Sequence, residues 1–422
     1  MTETQQPNLR VLLGGVNVND PEFDYTMTEL GQLAEANNFD IVGQITQNSD
    51  RLQAATYFGS GKVHEIKATA EAQDAKALVV NDELSPSQIR NLEKQTKLYV
   101  IDRTQLILRI FADRAQTKMA KTQVEIARLK YELPRIHPSS NPLDQQGGAS
   151  GLANRGAGES QLELDRRVLQ KRITRLQQTL AQILKDQATQ SKERQRSLLP
   201  KVALVGYTNA GKSTVMNQLL KHYAANEPQK QVFQKNMLFA TLDTSVRQID
   251  LPNQQSFLLS DTVGFVSKLP HNLVESFRAT LAEAKNADLL IHVVDYANPH
   301  FREMMAVTDQ VLKELGITDI PVIEVYNKAD LTDIDYPMVN GNEVYLSAQD
   351  EKSIETLSSV IQRQLFAKNP VVDMLIPFTQ GQLTEYLMTH ARIINQDYTE
   401  HGTKLKVQIS PKLLGRFEKY RA

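Results

Sequence analysis

The 422-residue sequence predicts an α/β protein made of four consecutive parts. Three observations predict this class. Residues 10–112 alternate apolar runs with segments of helical periodicity, and residues 113–198 carry apolar stripes at coiled-coil spacing. Residue 206 then opens a glycine-rich turn between an apolar run and a helical segment. Alternation of this kind is typical of parallel sheets covered by helices, and the chain is long enough for several cores.

The N-terminal part, residues 1–112, is predicted to be a small parallel α/β domain. Its expected strands are residues 10–18, 41–46, 77–80 and 98–101, and its expected helices are residues 21–36, 61–73 and 85–97. Residues 57–62 contain two glycines and a lysine, but the spacing of a phosphate-binding loop is incomplete. We interpret this segment as a turn that caps the following helix.

The second part, residues 113–198, is predicted to be an antiparallel hairpin of two helices, called the arm below. The proposed seam consists of Ala115, Met119, Thr122, Ile126 and Leu129 on the first helix and of Leu169, Ile173, Leu176, Leu180 and Ile183 on the second. Prolines at 134, 138 and 142 end the first helix, so residues 141–158 form a long loop with a glycine-rich stretch at Gly147–Gly158.

Basic side chains are frequent on the arm. They are Lys118, Lys121, Arg128 and Lys130 on the first helix and Arg166, Arg167, Lys171, Arg172 and Arg175 on the second. Two interpretations stay open on composition alone. The charges either form a solvated face around a flexible tip, or they contact the phosphates of a nucleic acid.

The third part, residues 199–368, carries a phosphate-binding motif. The motif follows the apolar run 202–205 and precedes a helical segment, which is the setting that the motif requires. Its residues, called the phosphate loop below, are Gly206, Tyr207, Thr208, Asn209, Ala210, Gly211, Lys212, Ser213 and Thr214. Lys212 is expected to reach the β- and γ-phosphates, and the Ser213 hydroxyl is expected to bind Mg²⁺. Residues 369–422 are predicted to form a small α+β domain with a strand at 373–378, a hairpin and a final helix at 411–420.

Three further motifs follow predicted strands of the third part. They are Asp261, Thr262, Val263 and Gly264; Asn327, Lys328, Ala329 and Asp330; and Ser347, Ala348 and Gln349. An acid at position 261 can hold the hydration shell of Mg²⁺, and a glycine at 264 allows close approach to the γ-phosphate. A buried carboxylate at 330 accepts from guanine N1–H and the amino group, so adenine is rejected. Ser347 and Ala348 place a backbone N–H on the guanine carbonyl. In this order the motifs are highly specific for a GTPase.

A threonine that closes over the γ-phosphate and completes the metal site is expected between residues 213 and 261. The candidate segment is Phe239, Ala240, Thr241, Leu242 and Asp243, with Thr241 preferred over Thr244 as the second Mg²⁺ ligand. The alternative is that these threonines only belong to a β-like segment.

Two residues bear on the rate of hydrolysis. Phe265 stands where many regulatory GTPases have a glutamine that orients water, so intrinsic hydrolysis is expected to be slow and to need a partner or an ion. Asn209 either helps to hold a monovalent cation such as K⁺ against the phosphates or only shapes the loop. The residues assigned to catalysis are Lys212, Thr241, Gly264 and Asn209.

Composition narrows the class of protein. The chain has no cysteine and no tryptophan, which excludes disulfides, thiolate zinc sites and cysteine nucleophiles. The net charge is −1, the first seven residues are polar, and the longest apolar run, at 287–294, is too short to span a bilayer. We expect a soluble, cytoplasmic monomer; peripheral contact with membranes stays open.

With these motifs the chain resembles the HflX family of ribosome-associated GTPases. The most discriminating residues are 57–63 and the run Arg155-Gly-Ala-Gly-Glu-Ser-Gln-Leu-Glu163, followed by Asp165-Arg-Arg167. The resemblance implies GTP, GDP and Mg²⁺ as ligands and the large ribosomal subunit as partner. It also implies that Gly147–Arg167 and the basic arm contact ribosomal RNA near the peptidyl-transferase region, and that stalled or stress-inactivated ribosomes are separated.

The chain departs from the family pattern in this region. Ala157 replaces a proline, Ser160 replaces a threonine, and residues 148–155 are slightly longer than usual. The altered segment is the part expected to touch RNA. The alternative function is that of a signalling or ribosome-assembly GTPase whose arm binds a protein.

Overall fold

The computed structural model describes residues 8–136, 153–196, 199–223, 245–252, 255–268 and 283–422. The chain forms two compact units. The first consists of Met1–Gln187 and Ser267–Phe277, and the second of Ala188–Val266 and Arg278–Ala422. The finer division into four parts stays a prediction. No helix in the described ranges is long and apolar enough to cross a membrane.

The first unit begins with a parallel four-stranded sheet, as the sequence predicts. Its strands, in the spatial order β2-β1-β3-β4, are β1 (Arg10–Asn17), β2 (Asp40–Asn48), β3 (Ala77–Val80) and β4 (Tyr99–Asp102). The helices are α1 (Phe23–Ala36), α2 (Ser60–Gln73), α3 (Pro86–Thr96) and α4 (Arg103–Arg114). β3 is buried along its whole length, because both faces of a parallel sheet are covered by helices.

The helix starts in this sheet domain have clear causes. The hydroxyl of Ser85 accepts from the N–H of Gln88, whose side chain in turn accepts from the N–H of Ser85. This reciprocal pair satisfies two N–H groups that lack helical partners. Gly59 is the N-cap of α2, so residues 57–59 form the predicted turn before the helix and residues 60–62 already belong to α2. The Tyr57 ring is buried in that turn, and its hydroxyl accepts from the N–H of Val16 at 3.0 Å.

The arm contains α5 (Lys118–Glu132) and α6 (Ala153–Arg196), and two expectations about its ends are wrong. Ala115 lies between α4 and α5, because Thr117 caps a new helix by accepting from the N–H of Ala120. Residues 153–158 of the expected loop are helical. Each residue added to an existing helix gains a hydrogen bond, which outweighs the cost of about 1 kcal/mol for an internal glycine. Residues 137–152 lie outside the described part.

The predicted seam residues are buried or half-buried, and their packing between the two helices stays a prediction. Met119, Ile126 and Leu129 are buried, as is Ile173, while the other seam residues of α6 are half-buried. The basic residues of α6 between 166 and 175 are exposed. The Arg172 guanidinium contacts the Glu125 carboxylate at 2.7 Å, which ties the middle of α5 to α6.

The second unit contains a seven-stranded sheet in the order β10-β11-β9-β8-β5-β7-β6. Its strands are β5 (Lys201–Val205), β6 (Ser245–Leu251), β7 (Gln255–Asp261), β8 (Leu289–Asp295), β9 (Val322–Asn327), β10 (Met338–Asn340) and β11 (Glu343–Tyr345). β6 and β10 run antiparallel to their neighbours at the two edges, and the five central strands are parallel. The helices are α7 (Lys212–Tyr223), α8 (Phe301–Glu314) and α9 (Glu351–Phe366).

The last part of the second unit is a three-stranded antiparallel sheet with two helices. Its elements are β12 (Val371–Ile376), α10 (Gly381–His390), β13 (Arg392–Thr399), β14 (Gly402–Gln408) and α11 (Pro411–Phe417). The expected strand 373–378 is shifted, because Pro377 cannot donate to a ladder and a 3-10 turn follows at Phe378–Gln380. The final helix ends at Phe417 and continues as a 3-10 turn, Glu418–Tyr420.

Candidate nucleotide-binding site

The sequence motifs meet at one edge of the large sheet. The phosphate loop joins β5 to α7, Asp261 is the last residue of β7, and Asn327 is the last residue of β9. Ser347 follows β11 by two residues. Because these strands are parallel, their carboxyl ends lie at the same edge, where ligands of open α/β sheets bind.

Three residues of the phosphate loop, Gly206, Asn209 and Gly211, have positive φ angles. Gly211 has φ +99°, and a Cβ there would lie 2.2 Å from the side-chain nitrogen of Asn327. No other residue type fits that contact. Asn209 has φ +62° and an exposed side chain. Asparagine tolerates this conformation, which agrees with a role in shaping the loop, and the exposed amide also leaves it accessible to an ion.

Lys212 lies buried beneath the loop, only 7 % exposed. Its ammonium donates to the carbonyl oxygens of Gly206 at 2.9 Å and Tyr207 at 2.7 Å. Burial lowers the pKa of Lys212 to about 8, and the charge of Asp261 acts in the opposite direction. The positive charge is therefore held at the loop and is costly until an anion compensates it.

Ser213 and Asp261 bring together the oxygen ligands expected for a magnesium ion. The Ser213 hydroxyl donates to Asp261 Oδ2 at 2.7 Å, and Asp261 is fully buried. Hydroxyl, carboxylate and phosphate oxygens are the donors that Mg²⁺ prefers, so this pair fits the ion. Thr241, with Phe239, Ala240, Leu242 and Asp243, lies outside the described residues, and its predicted role stays a prediction.

The segment after β7 lies against the phosphate loop. The N–H of Phe265 donates to the Gly206 carbonyl at 3.2 Å, and the N–H of Thr208 donates to the Phe265 carbonyl at 2.7 Å. The Phe265 ring is 2 % exposed, so it is a packing residue and not a solvent-facing one. A Cβ on Gly264 would lie 2.8 Å from Thr208 Cα and 2.9 Å from Lys212 Nζ, which explains the glycine. Thr262 and Val263 are buried.

Asn327 connects two motifs. Its amide nitrogen donates to the Ala210 carbonyl at 2.8 Å, and its amide oxygen accepts from the N–H of Ala348 at 2.9 Å. Asp330 differs from the expectation of a buried acceptor, because its side chain is exposed at the start of a 3-10 turn. Discrimination between bases therefore depends on the base itself covering this carboxylate. The other residues of these two motifs are held by local contacts. The Lys328 ammonium pairs with the Asp295 carboxylate at 2.7 Å, and the N–H of Ala329 donates to the Leu346 carbonyl. The N–H of Gln349 donates to Ser347 Oγ.

His292 is a buried titratable residue that the sequence motifs do not include. It lies on β8 opposite Val205 of β5, only 3 % exposed. Burial, and then the charge of Lys212, lower the pKa of His292 to about 4. The ring is therefore neutral at pH 7, and a histidine inside an apolar strand gives no sequence signal for this position.

Models of three protein families match the chain. They are described as "GTP-binding GTPase N-terminal" at residues 24–112, "GTP-binding GTPase Middle Region" at residues 114–194, and "50S ribosome-binding GTPase" at residues 201–328. A GTPase HflX of Caldanaerobacter subterraneus subsp. tengcongensis is 39% identical over 420 residues, which is 100% of this chain and 95% of the relative. The chain belongs to the HflX family of GTPases.

Other HflX proteins match the chain with similar identity and over most of its length. The GTPase HflX of Alkalihalophilus pseudofirmus is 40% identical, with coverage of 92% of this chain and 90% of the relative. That of Flavobacterium psychrophilum is 41% identical over 76% of this chain and 75% of its own length. Among solved structures, a GTP-binding protein from Sulfolobus solfataricus in complex with GDP is 24% identical with a TM-score of 0.42, covering 84% of this chain and 98% of that one. The similarity to these HflX relatives therefore extends well beyond the GTPase motifs.

Proposed function

We propose that this HflX protein is a Mg²⁺-dependent GTPase that couples its nucleotide state to binding of the large ribosomal subunit. The observation that carries the proposal is the Asn327 side chain, which links the guanine motif to the phosphate loop. A base-binding segment and a phosphate loop that are joined in this way can bind the base and the phosphates of the same nucleotide. The description "50S ribosome-binding GTPase" of the matching family model supports the choice of partner.

The chain's own residues would act as follows. Asp330 accepts from guanine. The N–H of Ala348 is held by Asn327 Oδ1 and would have to leave that acceptor before it could donate to the guanine carbonyl. Lys212 exchanges its carbonyl partners for β- and γ-phosphate oxygens and neutralises charge there. Ser213 and, outside the described part, Thr241 would hold Mg²⁺, which when bound neutralises phosphate charge.

Slow hydrolysis without a partner follows from the same site. Phe265 is hydrogen-bonded to the phosphate loop through its backbone, and its ring is buried. An apolar ring cannot orient an attacking water, so another group must do so. We propose that the ribosome supplies or orders that group and that a monovalent cation near Asn209 assists it.

The arm is proposed to bind ribosomal RNA. Exposed cations on α5 and α6 include Lys118, Lys121, Lys171 and Arg175. Part of the basic character is neutralised within the arm, because Arg128 pairs with Glu125 and Glu132. The cations facing solvent are those available to RNA phosphates. Separation of stalled ribosomes is the further activity proposed for this arm with its altered Arg155–Glu163 segment.

Co-sedimentation tests the proposal. The full chain is pelleted with purified large subunits in a non-hydrolysable GTP analogue, in GDP and without nucleotide. We expect strong pelleting only with the analogue; equal pelleting in all three conditions contradicts the coupling. If four arm cations contact phosphates, the logarithm of affinity falls with the logarithm of salt with a slope of roughly −3. Lys171→Ala and Arg175→Ala each reduce that slope by about one, whereas Lys352→Ala on α9 leaves it unchanged.

One observation favours the second candidate, a GTPase whose arm binds a protein. Leu164 and Val168 are 49% and 63% exposed and lie four residues apart, on one side of α6. Exposed apolar side chains at this spacing suit packing against a partner helix. In that case affinity would change little with salt and would be lost in the double variant Leu164→Ser, Val168→Ser.

A further inference from the structure

The second unit contains a cluster of aromatic rings that no nucleotide motif includes. The rings are those of Tyr296, Phe301, Tyr326 and Tyr345. Tyr326 and Tyr345 are paired in register on β9 and β11, and their rings stack with centroids 4.6 Å apart and planes 12° from parallel. The Tyr296 ring approaches both at steep angles, with centroids 5.5 Å and 5.3 Å away.

These rings lie on the face of the large sheet that α9 does not cover. Val325 on β9 and Val344 on β11 belong to the apolar core that α9 shares. Because successive side chains of a strand alternate between the two faces, the residues that flank these valines lie on the opposite face. They are Glu324, Tyr326, Glu343 and Tyr345, called the aromatic–acidic face below. Glu324, Glu343 and Tyr345 are only half-buried, so a partner can reach them.

Two negative charges stand side by side on the aromatic–acidic face. Glu324 and Glu343 are paired in register on adjacent parallel strands, which lie about 4.8 Å apart. Within the described ranges neither carboxylate forms an ion pair, and Lys328 is bound to Asp295. His292, the neighbour of Glu324 on β8, is neutral at pH 7 because burial lowers its pKa to about 4. Like charges on neighbouring strands are unfavourable, so a cation from outside would stabilise this arrangement.

Each of the two carboxylates has one oxygen engaged and one available. The Tyr326 hydroxyl donates to Glu324 Oε2 at 2.9 Å, and the Tyr345 hydroxyl donates to Glu343 Oε2 at 3.4 Å. The side-chain nitrogen of Asn340 also donates to Glu343 Oε2, at 3.3 Å. No group in the described part of the chain donates to Oε1 of either glutamate. The hydroxyls therefore orient both carboxylates and leave an acceptor on each for an external donor.

The tyrosine hydroxyls remain protonated and keep this role. Burial, and then the hydrogen bond to Glu324, raise the pKa of Tyr326. Burial, and then the charge of Glu343, raise the pKa of Tyr345. Loss of a proton would place a second negative charge beside each carboxylate, which is unfavourable. The face therefore combines neutral stacked rings with two carboxylates.

The chemistry of this face selects one class of ligand. The arginine guanidinium is planar, donates to carboxylates through a fork of N–H groups and stacks on aromatic rings. The guanidinium of Arg302 already lies over the Phe301 ring of the cluster, 5.3 Å from its centroid. A nucleic acid would bring phosphates next to two carboxylates, and an apolar segment would bury both carboxylates unpaired. Only a basic segment of a protein satisfies both the rings and the charges.

We propose that the aromatic–acidic face is a docking site for a basic, arginine-containing segment of a partner protein, with a guanidinium stacked on Tyr345 and paired with Glu343 and Glu324. The site goes beyond the proposed function, in which cations of the arm bind RNA. Its charge is of the opposite sign, and all its residues belong to the second unit. The partner contact is therefore independent of the arm.

Peptide binding to the full-length protein with GDP tests the proposal. The probes are a fluorescein-labelled peptide of alternating glycine and arginine, its lysine counterpart of equal charge, and a labelled oligouridylate, all followed by fluorescence anisotropy. We expect the arginine peptide to bind at least about threefold more tightly than the lysine peptide, because lysine lacks the planar fork. The double variant Glu324→Gln, Glu343→Gln should weaken the arginine peptide at least about tenfold and leave the oligouridylate unchanged.

The matched control is the double variant Glu351→Gln, Glu355→Gln, which changes the net charge equally but lies on α9. Its affinity for the arginine peptide should stay within about twofold of wild type. Both glutamines of the test variant still accept from the tyrosine hydroxyls and remove the like-charge pair. The Tm of that variant should therefore equal or exceed that of wild type, which separates lost binding from unfolding.

Tyr345 tests the contribution of the ring. Tyr345→Phe keeps the stacked ring and should bind the arginine peptide within about twofold of wild type, whereas Tyr345→Ser should lose about fivefold. Unchanged arginine-peptide affinity in the Glu324→Gln, Glu343→Gln variant overturns the proposal, and so does an equal loss in the α9 control. Loss of oligouridylate binding in the test variant would assign the face to RNA instead. Self-association of wild type that the same variant abolishes would identify a second copy of the chain as the occupant and would equally overturn it.

Discussion

The side-chain amide of Asn327 donates to the backbone carbonyl of Ala210 at 2.8 Å, across a separation of 117 residues. Its other end accepts from the N–H of Ala348, so one side chain joins the phosphate loop to the segments after β9 and β11. Asn327 is 3 % exposed, and its two hydrogen bonds have no water to replace them. We therefore expect binding of the base and binding of the phosphates to be coupled.

Asn327→Ala should weaken GTP and GDP to the same extent. Two buried hydrogen bonds are lost and two backbone groups lose their partners, which costs about 2–4 kcal/mol, or roughly a 30- to 1000-fold loss of affinity. Fluorescence titration with labelled nucleotide measures it. Asn327→Asp keeps the acceptor for the Ala348 N–H and loses only the donor to Ala210. Its nucleotide affinity should therefore lie between those of wild type and Asn327→Ala. Wild-type affinity in Asn327→Ala would contradict the link.

The sequence predicts that the motifs lie together, because each motif stands at or just after the end of a strand. Parallel order places Asp261 and Asn327 at the same sheet edge without further information. The contact between Asn327 and Ala210 is not predictable in this way. It depends on the left-handed turn at Gly211, whose missing Cβ leaves room for the amide. The spacing of residues identifies the motif, but it does not show that the Asn327 amide occupies the space beside Gly211.

The fold shows a similar limit. Strands and helices of the first sheet are predictable, because β3 and its neighbours are apolar runs between periodic segments. β6 is not, since Ser245–Leu251 is a mostly polar edge strand that is defined by its pairing with β7. The break between α4 and α5 depends on the cap at Thr117, which interrupts an otherwise continuous helical pattern. The burial of Arg103 has no sequence signal.

Asp330→Asn should change the preferred base. In the proposed complex the exposed carboxylate would accept two hydrogen bonds from guanine, whereas an amide offers one donor and one acceptor. GTP affinity should fall at least tenfold, while xanthosine triphosphate, which has a carbonyl in place of the guanine amino group, should gain. Competition against labelled GDP measures the affinities for GTP and for xanthosine triphosphate. Equal loss for both nucleotides would contradict a direct contact between Asp330 and the base.

GTP affinity should fall as pH rises above about 8. Burial lowers the pKa of Lys212 to about 8, and bound phosphate favours the protonated ammonium, so binding above this pH takes up a proton. The loss is about fivefold between pH 8 and pH 9, because the protonated fraction of a group with a pKa of about 8 falls from about one half to about one tenth. Titration calorimetry in two buffers of different ionisation enthalpy measures the proton uptake. Guanosine, which lacks phosphate, is the control for titration of the base, and pH-independent GTP affinity would contradict the shift.

Turnover should depend on the monovalent cation if Asn209 helps to bind one. The side chain is exposed at the loop, so exchange of the ion needs no opening of the core. We expect a higher kcat in K⁺ than in Na⁺ at equal ionic strength, and Asn209→Ala should remove that difference. Asn209→Gly keeps the left-handed backbone at φ +62° and separates loop shape from ion binding. Identical rates in both salts would leave Asn209 with the conformational role alone.

The stability of the second unit should fall in acid because of His292. Its pKa is lowered from 6.5 to about 4, chiefly by burial, so between these values the unfolded chain binds the proton and the folded chain does not. Stability from this residue is complete above about pH 6.5 and decreases by on the order of 3 kcal/mol as the pH falls to 4. Hydrogen exchange of the β8 amides between pH 4.5 and 7 reports it.

His292→Gln provides the matched comparison, since glutamine does not titrate. Wild type should therefore lose stability relative to this variant as the pH falls, even if the variant is less stable at pH 7. The positive charge of Lys212 contributes to the lowered pKa of His292, so Lys212→Met should raise that pKa while burial keeps it below 6.5. NMR titration of the ring measures both proteins. A wild-type titration near 6.5 would show that water reaches β8 and would contradict the buried, neutral imidazole beneath the phosphate loop.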